Sequence, residues 1–106
     1  MILRMWKARS TPKQAAAYIE HATKTVFPKV RNIAGHRGDY LLRRELEEGV
    51  ELVVLTLWDS MEAVRRFAGS EPNKAVVEPE ARAVLTSFDE YVTHFEVVEG
   101  MTVPHT

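Results

Sequence analysis

Along the opening residues, "MILRMWKARS", apolar and polar side chains alternate, with Leu3 and Met5 on one face and Arg4 and Trp6 on the other. A period of two marks a strand, and residues 2–9 are read as the first. The period then lengthens. Ala15, Tyr18, Ile19, Ala22 and Val26 recur at helical spacing, which predicts a helix laying one stripe on a core. Thr11 is placed to cap it, Pro12 suits its first position, and Gln14 completes a capping box. The helix is expected to run out near Pro28, and "NIAGHRG", with two glycines, reads as a connection. "DYLLRREL" (39–46) and "VELVVLTLW" (50–58) are strands separated by Glu47, Glu48 and Gly49, the spacing of an antiparallel hairpin.

In "DSMEAVRRFAG" the residues Met61, Val64, Phe67 and Ala68 share one helical face, with Asp59 or Ser60 as cap and Gly69 as terminator. "EPNKAVVEPEARAVLTSF" reads as helical turns broken at Pro79, where Glu78 and Glu80 suit a helix N-terminus through its dipole. "DEYVTHFEVV" (89–98) alternates again: Tyr91, Thr93, Phe95 and Val97 on one face, Glu90, Val92, His94, Glu96 and Val98 on the other. The order βαββαβ is the split, ferredoxin-like arrangement of an α+β protein, with one antiparallel four-stranded sheet in spatial order 4-1-3-2. Residues 1–98 are expected to form one domain and 99–106 a polar C-terminal tail. Two helices cannot cover both faces of such a sheet, and the uncovered face favours a homodimer.

Composition narrows the partners. The 106 residues, 45% hydrophobic and 27% charged, have the proportions of one small globular domain. A net charge of −1 with scattered Lys and Arg argues against nucleic acid. Without cysteine there is neither a disulfide framework nor a thiolate metal site. No apolar run approaches the roughly 20 residues of a membrane helix, and the N-terminus lacks the pattern of a signal peptide. A cytoplasmic protein is expected. No phosphate loop, dinucleotide fingerprint or nucleophile elbow is present. The four histidines are too dispersed to predict a zinc site: His21 falls off the apolar stripe and should be exposed, His36 lies in the connection, and His105 lies in the tail.

The chemistry collects on one face. Odd positions of the neighbouring strands are nearly all apolar (Leu3, Met5, Val53, Leu55, Leu57, Phe95 and Val97) and are read as the core face. Even positions carry Arg4, Trp6, Thr56, Trp58, His94 and Glu96. With the first strand central, Arg4, Thr56 and His94 should meet at mid-sheet, with both tryptophans towards one end. This face serves either as a ligand pocket or as the dimer interface, where Trp and Arg are enriched for binding energy alone. Spacing does not decide between them.

"TLWDSMEAVRRFAG", then "AVVEPEARAVLTSFDEYVTHFEVV", with "RMW" in the first strand and "IAGHRG" before the second, resembles the antibiotic biosynthesis monooxygenase family over residues 1–98. "LWDSMEA" and "VTHFEV" are the more specific segments. The resemblance implies a dimeric α+β barrel, with two sheets facing each other. Some members oxidise polycyclic phenols with molecular oxygen and no cofactor, and another branch degrades haem. That branch uses an Asn on the first strand, a Trp after the third and a His on the second-half helix. Trp58 fits, but the first strand carries Arg4 and Trp6 and residues 59–88 contain no His, so haem is disfavoured.

The resemblance therefore implies a cofactor-independent monooxygenase for an aromatic small molecule. His94 would be the base, its unperturbed pKa of about 6.5 suiting proton abstraction. Arg4 would hold the anion. Trp6, Tyr18 and Trp58 would form flat walls, with Thr56 beside Arg4. The alternative is a non-catalytic ligand-binding or interaction protein of the same fold.

Overall fold

Backbone pairing joins the alternating stretches into one antiparallel sheet. The computed structural model describes residues 1–101; the rest of the tail, His105 included, lies outside the described residues. The elements are β1 (Ile2–Ser10), α1 (Pro12–His21), a π turn (Ala22–Val26), α2 (Phe27–Val30), β2 (His36–Leu46), β3 (Gly49–Trp58), α3 (Met61–Ala68), α4 (Pro79–Ala83), β4 (Ser87–Phe88) and β5 (Thr93–Glu96). Strand order is β2-β3-β1, with β4 and β5 both on the free edge of β1. The βαββαβ order and the α+β class hold.

Local chemistry sets the boundaries. Thr11 Oγ1 accepts from the Gln14 N–H at 3.1 Å, closing the start of α1. Ser60, rather than Asp59, caps α3 by accepting from the Ala63 N–H at 3.2 Å; Asp59 instead takes two hydrogen bonds from Arg37. The helix beginning at Pro12 does not stop at Pro28. In a continuous α-helix the Pro28 ring would crowd the Lys24 carbonyl, and a wider turn comes first, in which the Phe27 N–H bonds the Ala22 carbonyl. Gly35, at φ 94°, lies so close to α3 that a Cβ there would collide with that of Ala63.

The second half differs from its helical reading. Only Pro79–Ala83 is helical; Pro72 and Pro79 leave residues 70–78 irregular. There Ala75 N–H bonds the Glu90 carbonyl and Val92 N–H the Asn73 carbonyl. This short ladder draws residues 90–92 off β1, while the Asp89 N–H still bonds the Lys7 carbonyl, so the last strand is split.

The largest departure is in which face is covered. The helices lie on the even face. Ala15, Tyr18 and Ala22 pack with Val50, Leu52 and Ala81, and Trp58 packs with Val30, Ala63 and Val64. The small residues of α1 let it approach the sheet closely, and burial at these positions is complete or nearly so. The odd face, read as the core from sequence, is bare in the single chain. Leu3, Met5, Leu55 and Leu57 are half-buried, while Tyr40, Leu42 and Phe95 are 50%, 44% and 48% exposed. Alternation alone could not separate the two faces, because both are apolar.

Candidate functional site

Arg4 sits in the middle of β1, opposite Thr56 on β3 and His94 on β5. Pleating points all three side chains to the covered face. Trp6 and Trp58 flank Arg4 from opposite sides, since Trp6 pairs with Val54 and Trp58 with Ile2. They do not share one end of the sheet.

The Arg4 side chain is 4% exposed. Its Nη1 donates to the Pro72 carbonyl and to His94 Nε2, the latter at 3.0 Å, and Nη2 donates to the Lys74 carbonyl at 3.0 Å. Every one of these acceptors is neutral. The guanidinium also lies over the Phe67 ring, 5.5 Å from its centroid. Among the described residues no carboxylate pairs with it, and burial lowers its pKa to about 10. Arg4 therefore stays protonated at neutral pH. It is a buried cation without a counter-charge, an arrangement that proteins usually avoid. Three of its five N–H groups are engaged, which leaves two for a ligand.

Arginine cannot accept a hydrogen bond, so His94 Nε2 must be the acceptor and Nδ1 carries the proton. That proton is donated to Asn73 Oδ1 at 3.2 Å. Both ring nitrogens are occupied in a neutral imidazole, and neither is free to take a proton from a ligand. Burial, and then the charge of Arg4, hold the His94 pKa below its ordinary value. His94 thus positions Arg4. Because the unfolded chain takes up this proton first, stability should fall as pH drops below about 6.5 towards the depressed folded value. Melting curves across that range should show a shallower fall in His94→Gln than in the unaltered chain.

A cavity of about 90 Å3 lies between the sheet and the helices, its wall including Arg4, Trp6, Tyr18, Phe27, Thr56 and Phe67. Arg4, Trp6, Tyr18 and Thr56 are thus brought together. His94 and Trp58 lie outside this wall. Trp58 is fully buried beneath Phe67, stacked at 5.7 Å, and donates its indole N–H to Thr56 Oγ1 at 2.8 Å. Trp6 meets Tyr18 at 6.1 Å and is fixed by an N–H bond of 2.8 Å to the Asp89 carbonyl. Burial pushes the Tyr18 phenol up to about 12, so it remains protonated.

Two histidines differ from their expected settings. His36 opens β2, where its ring stands edge-on to Trp58 at 5.4 Å and faces Asp39 at 3.1 Å. His21 is half-buried and contributes to the cavity wall. It ends α1 with ordinary helical backbone, three residues after buried Tyr18, which sets it at the edge of the apolar stripe beside the cavity.

The comparisons with known proteins agree with this architecture. The family model described as antibiotic biosynthesis monooxygenase matches residues 1–79. Among solved structures, a Bacillus cereus protein provisionally described as an antibiotic biosynthesis monooxygenase is 16% identical, with 99% of this chain and 98% of that one covered and a TM-score of 0.68. The haem degrader MhuD of Mycobacterium tuberculosis, solved with two haems bound, is 24% identical over 96% of this chain and 100% of that one, with a TM-score of 0.61. A mutant of SnoaB, a cofactor-independent oxygenase of Streptomyces nogalater, is 19% identical over 98% of each chain, with a TM-score of 0.62. Among curated proteins, no relative matches.

Proposed function

The chain belongs to the antibiotic biosynthesis monooxygenase family, and from that premise we propose that it is a cofactor-independent monooxygenase for an electron-rich aromatic small molecule bound as its phenolate or enolate. One observation carries this reading: Arg4, a buried cation with two unengaged N–H groups and, among the described residues, no carboxylate partner, on the wall of a cavity lined mainly by aromatic and aliphatic side chains, with His21, Thr56 and Glu78 as its other polar members. A flat anion supplies the charge partner that Arg4 lacks. Binding beside the cation lowers the pKa of the ligand, so the cavity selects the ionised form. Trp6, Tyr18, Phe27 and Phe67 shield it from water. The electrons then come from the ligand itself: a ring CH2 becomes C=O, one oxygen atom is retained and the other leaves as water. The description of SnoaB as cofactor-independent supports this chemistry.

The cavity is smaller than the ~150 Å3 that takes up a benzene. A ligand of more than one ring must therefore extend past Val76 and Glu78, or displace the irregular segment that carries them. Oxygen uptake with anthrone and a series of electron-rich phenols tests the reading. Saturable uptake above the uncatalysed rate is the expected result. Saturable binding without uptake would leave a ligand-binding protein, and neither binding nor uptake would end the proposal.

The bare odd face supports a homodimer in which two sheets meet, as the fold of one chain gives Leu55, Leu57 and Phe95 no other cover. Light scattering should give twice the 12.1 kDa of one chain, and Leu55→Glu should shift it to the monomer. A monomeric unaltered protein would exclude this assembly. No described helix is long and apolar enough to cross a membrane. A cytoplasmic setting is part of this proposal, and without cysteine the chain has no disulfide that would call for an oxidising one.

A further inference from the structure

At the edge of the same cavity, residues from two distant segments converge. His21 comes from the end of α1, Glu78 directly precedes α4, and Glu80 lies in its first turn. One ring nitrogen of His21 and one carboxylate oxygen from each glutamate lie within 4.8 Å of one another. Both His21 and Glu78 belong to the cavity wall. The monooxygenase reading uses none of the three.

Two features of the trio remain unbalanced. The Nε2 atom of His21 is shut off from solvent and has no hydrogen-bond partner, a state that costs free energy unless something satisfies it. Two carboxylates also meet beside it, and among the described residues only Lys29 Nζ lies near Glu78, at 3.9 Å. Glu78 makes no side-chain cap to α4, so only the dipole of that five-residue helix favours the two carboxylates there. A small cation would answer both features: it accepts an imidazole lone pair and neutralises paired carboxylates.

We infer that His21, Glu78 and Glu80 form a binding site for a divalent transition-metal ion of the zinc class. One nitrogen and two oxygens are donors that such ions take in sites of this kind, whereas magnesium and calcium prefer oxygen alone. In a tetrahedral site of roughly 2.1 Å radius, neighbouring donors stand about 3.4 Å apart. The trio must close slightly, and Glu80, being exposed, can do so by rotating its side chain. Three protein donors leave a fourth position for water or for a ligand. Sequence spacing hides the set, because the histidine and the glutamates meet only when the segment before α4 folds across α1.

The test is titration of the full chain, first stripped with a chelator, with Zn2+ by calorimetry and with Co2+ by its visible absorption. One ion per chain should bind saturably. His21→Ala and Glu80→Gln should each lose at least the roughly 10–100-fold in affinity that changing even an outer-shell partner costs. Glu80→Gln changes an exposed side chain and keeps the test valid if His21→Ala folds poorly. His105→Ala, in the tail, should bind like the unaltered chain. Absence of saturable binding, or binding unchanged in both site variants, would overturn the inference.

Discussion

Arg4→Met should weaken binding of an ionised phenol probe such as 4-nitrophenolate by roughly 10–100-fold, the effect of losing hydrogen bonds from a charged donor. Methionine keeps the length and the apolar contact with Phe67 but removes the charge. The same change should lower stability. It strips donors from the Pro72 carbonyl, the Lys74 carbonyl and His94 Nε2, each worth about 1–3 kcal/mol if left dry. Releasing the protein from burying an unpaired cation offsets part of this. A net loss of about 2–4 kcal/mol in urea unfolding is expected. Arg4→Lys should fall between the two, because a point charge cannot reproduce the planar fork. Retained probe affinity in Arg4→Met would place the anion elsewhere and remove the observation on which the functional reading stands.

The second large effect is structural. Trp58→Ala should cost about 3–5 kcal/mol, as expected when a fully buried aromatic side chain leaves a cavity. The indole is enclosed by Val64, Val30 and Ala63 and sandwiched between Phe67 and the edge of His36. Trp58→Phe retains most of that contact and loses the bond to Thr56, for about 1 kcal/mol. Trp58 lies outside the cavity wall, so Trp58→Phe should leave probe affinity nearly unchanged. A severe loss of affinity at preserved stability would make Trp58 a wall residue, which the present geometry does not.

The sequence carried the strand register well. Arg4, Thr56 and His94 meet as the alternation and strand order require, because backbone pairing converts sequence spacing directly into neighbours. The covered face was not legible. Leu3, Met5 and Leu55 argue for one face as strongly as Val50, Leu52 and Trp58 argue for the other, and only packing of the small residues Ala15 and Ala22 decides. The role of His94 was also hidden, since it depends on Asn73, a residue from an irregular segment with no periodic signal. His21 escaped for a related reason: it stands at the edge of the α1 stripe, and the irregular residues Val76, Val77 and Glu78 build the cavity against it.

The widening of the helix ahead of Pro28 has a consequence for how the protein tolerates change. Ala22 and Phe27 are both buried although five positions apart, a spacing that a regular α-helix would place on different sides. The π turn carries one residue more than an α turn would, and Thr23, Lys24 and Thr25, which fill it, are exposed. Their identities are therefore nearly free to vary, whereas their number is not. Deleting any one of them would set Ala22 and Phe27 four apart, the spacing at which an α-helix already puts two residues on one face. Phe27 and Val30 would still face the sheet, but the Pro28 ring would then meet the carbonyl four residues before it, the clash that the wider turn avoids. At this point in the chain, inheritance must preserve length more strictly than composition.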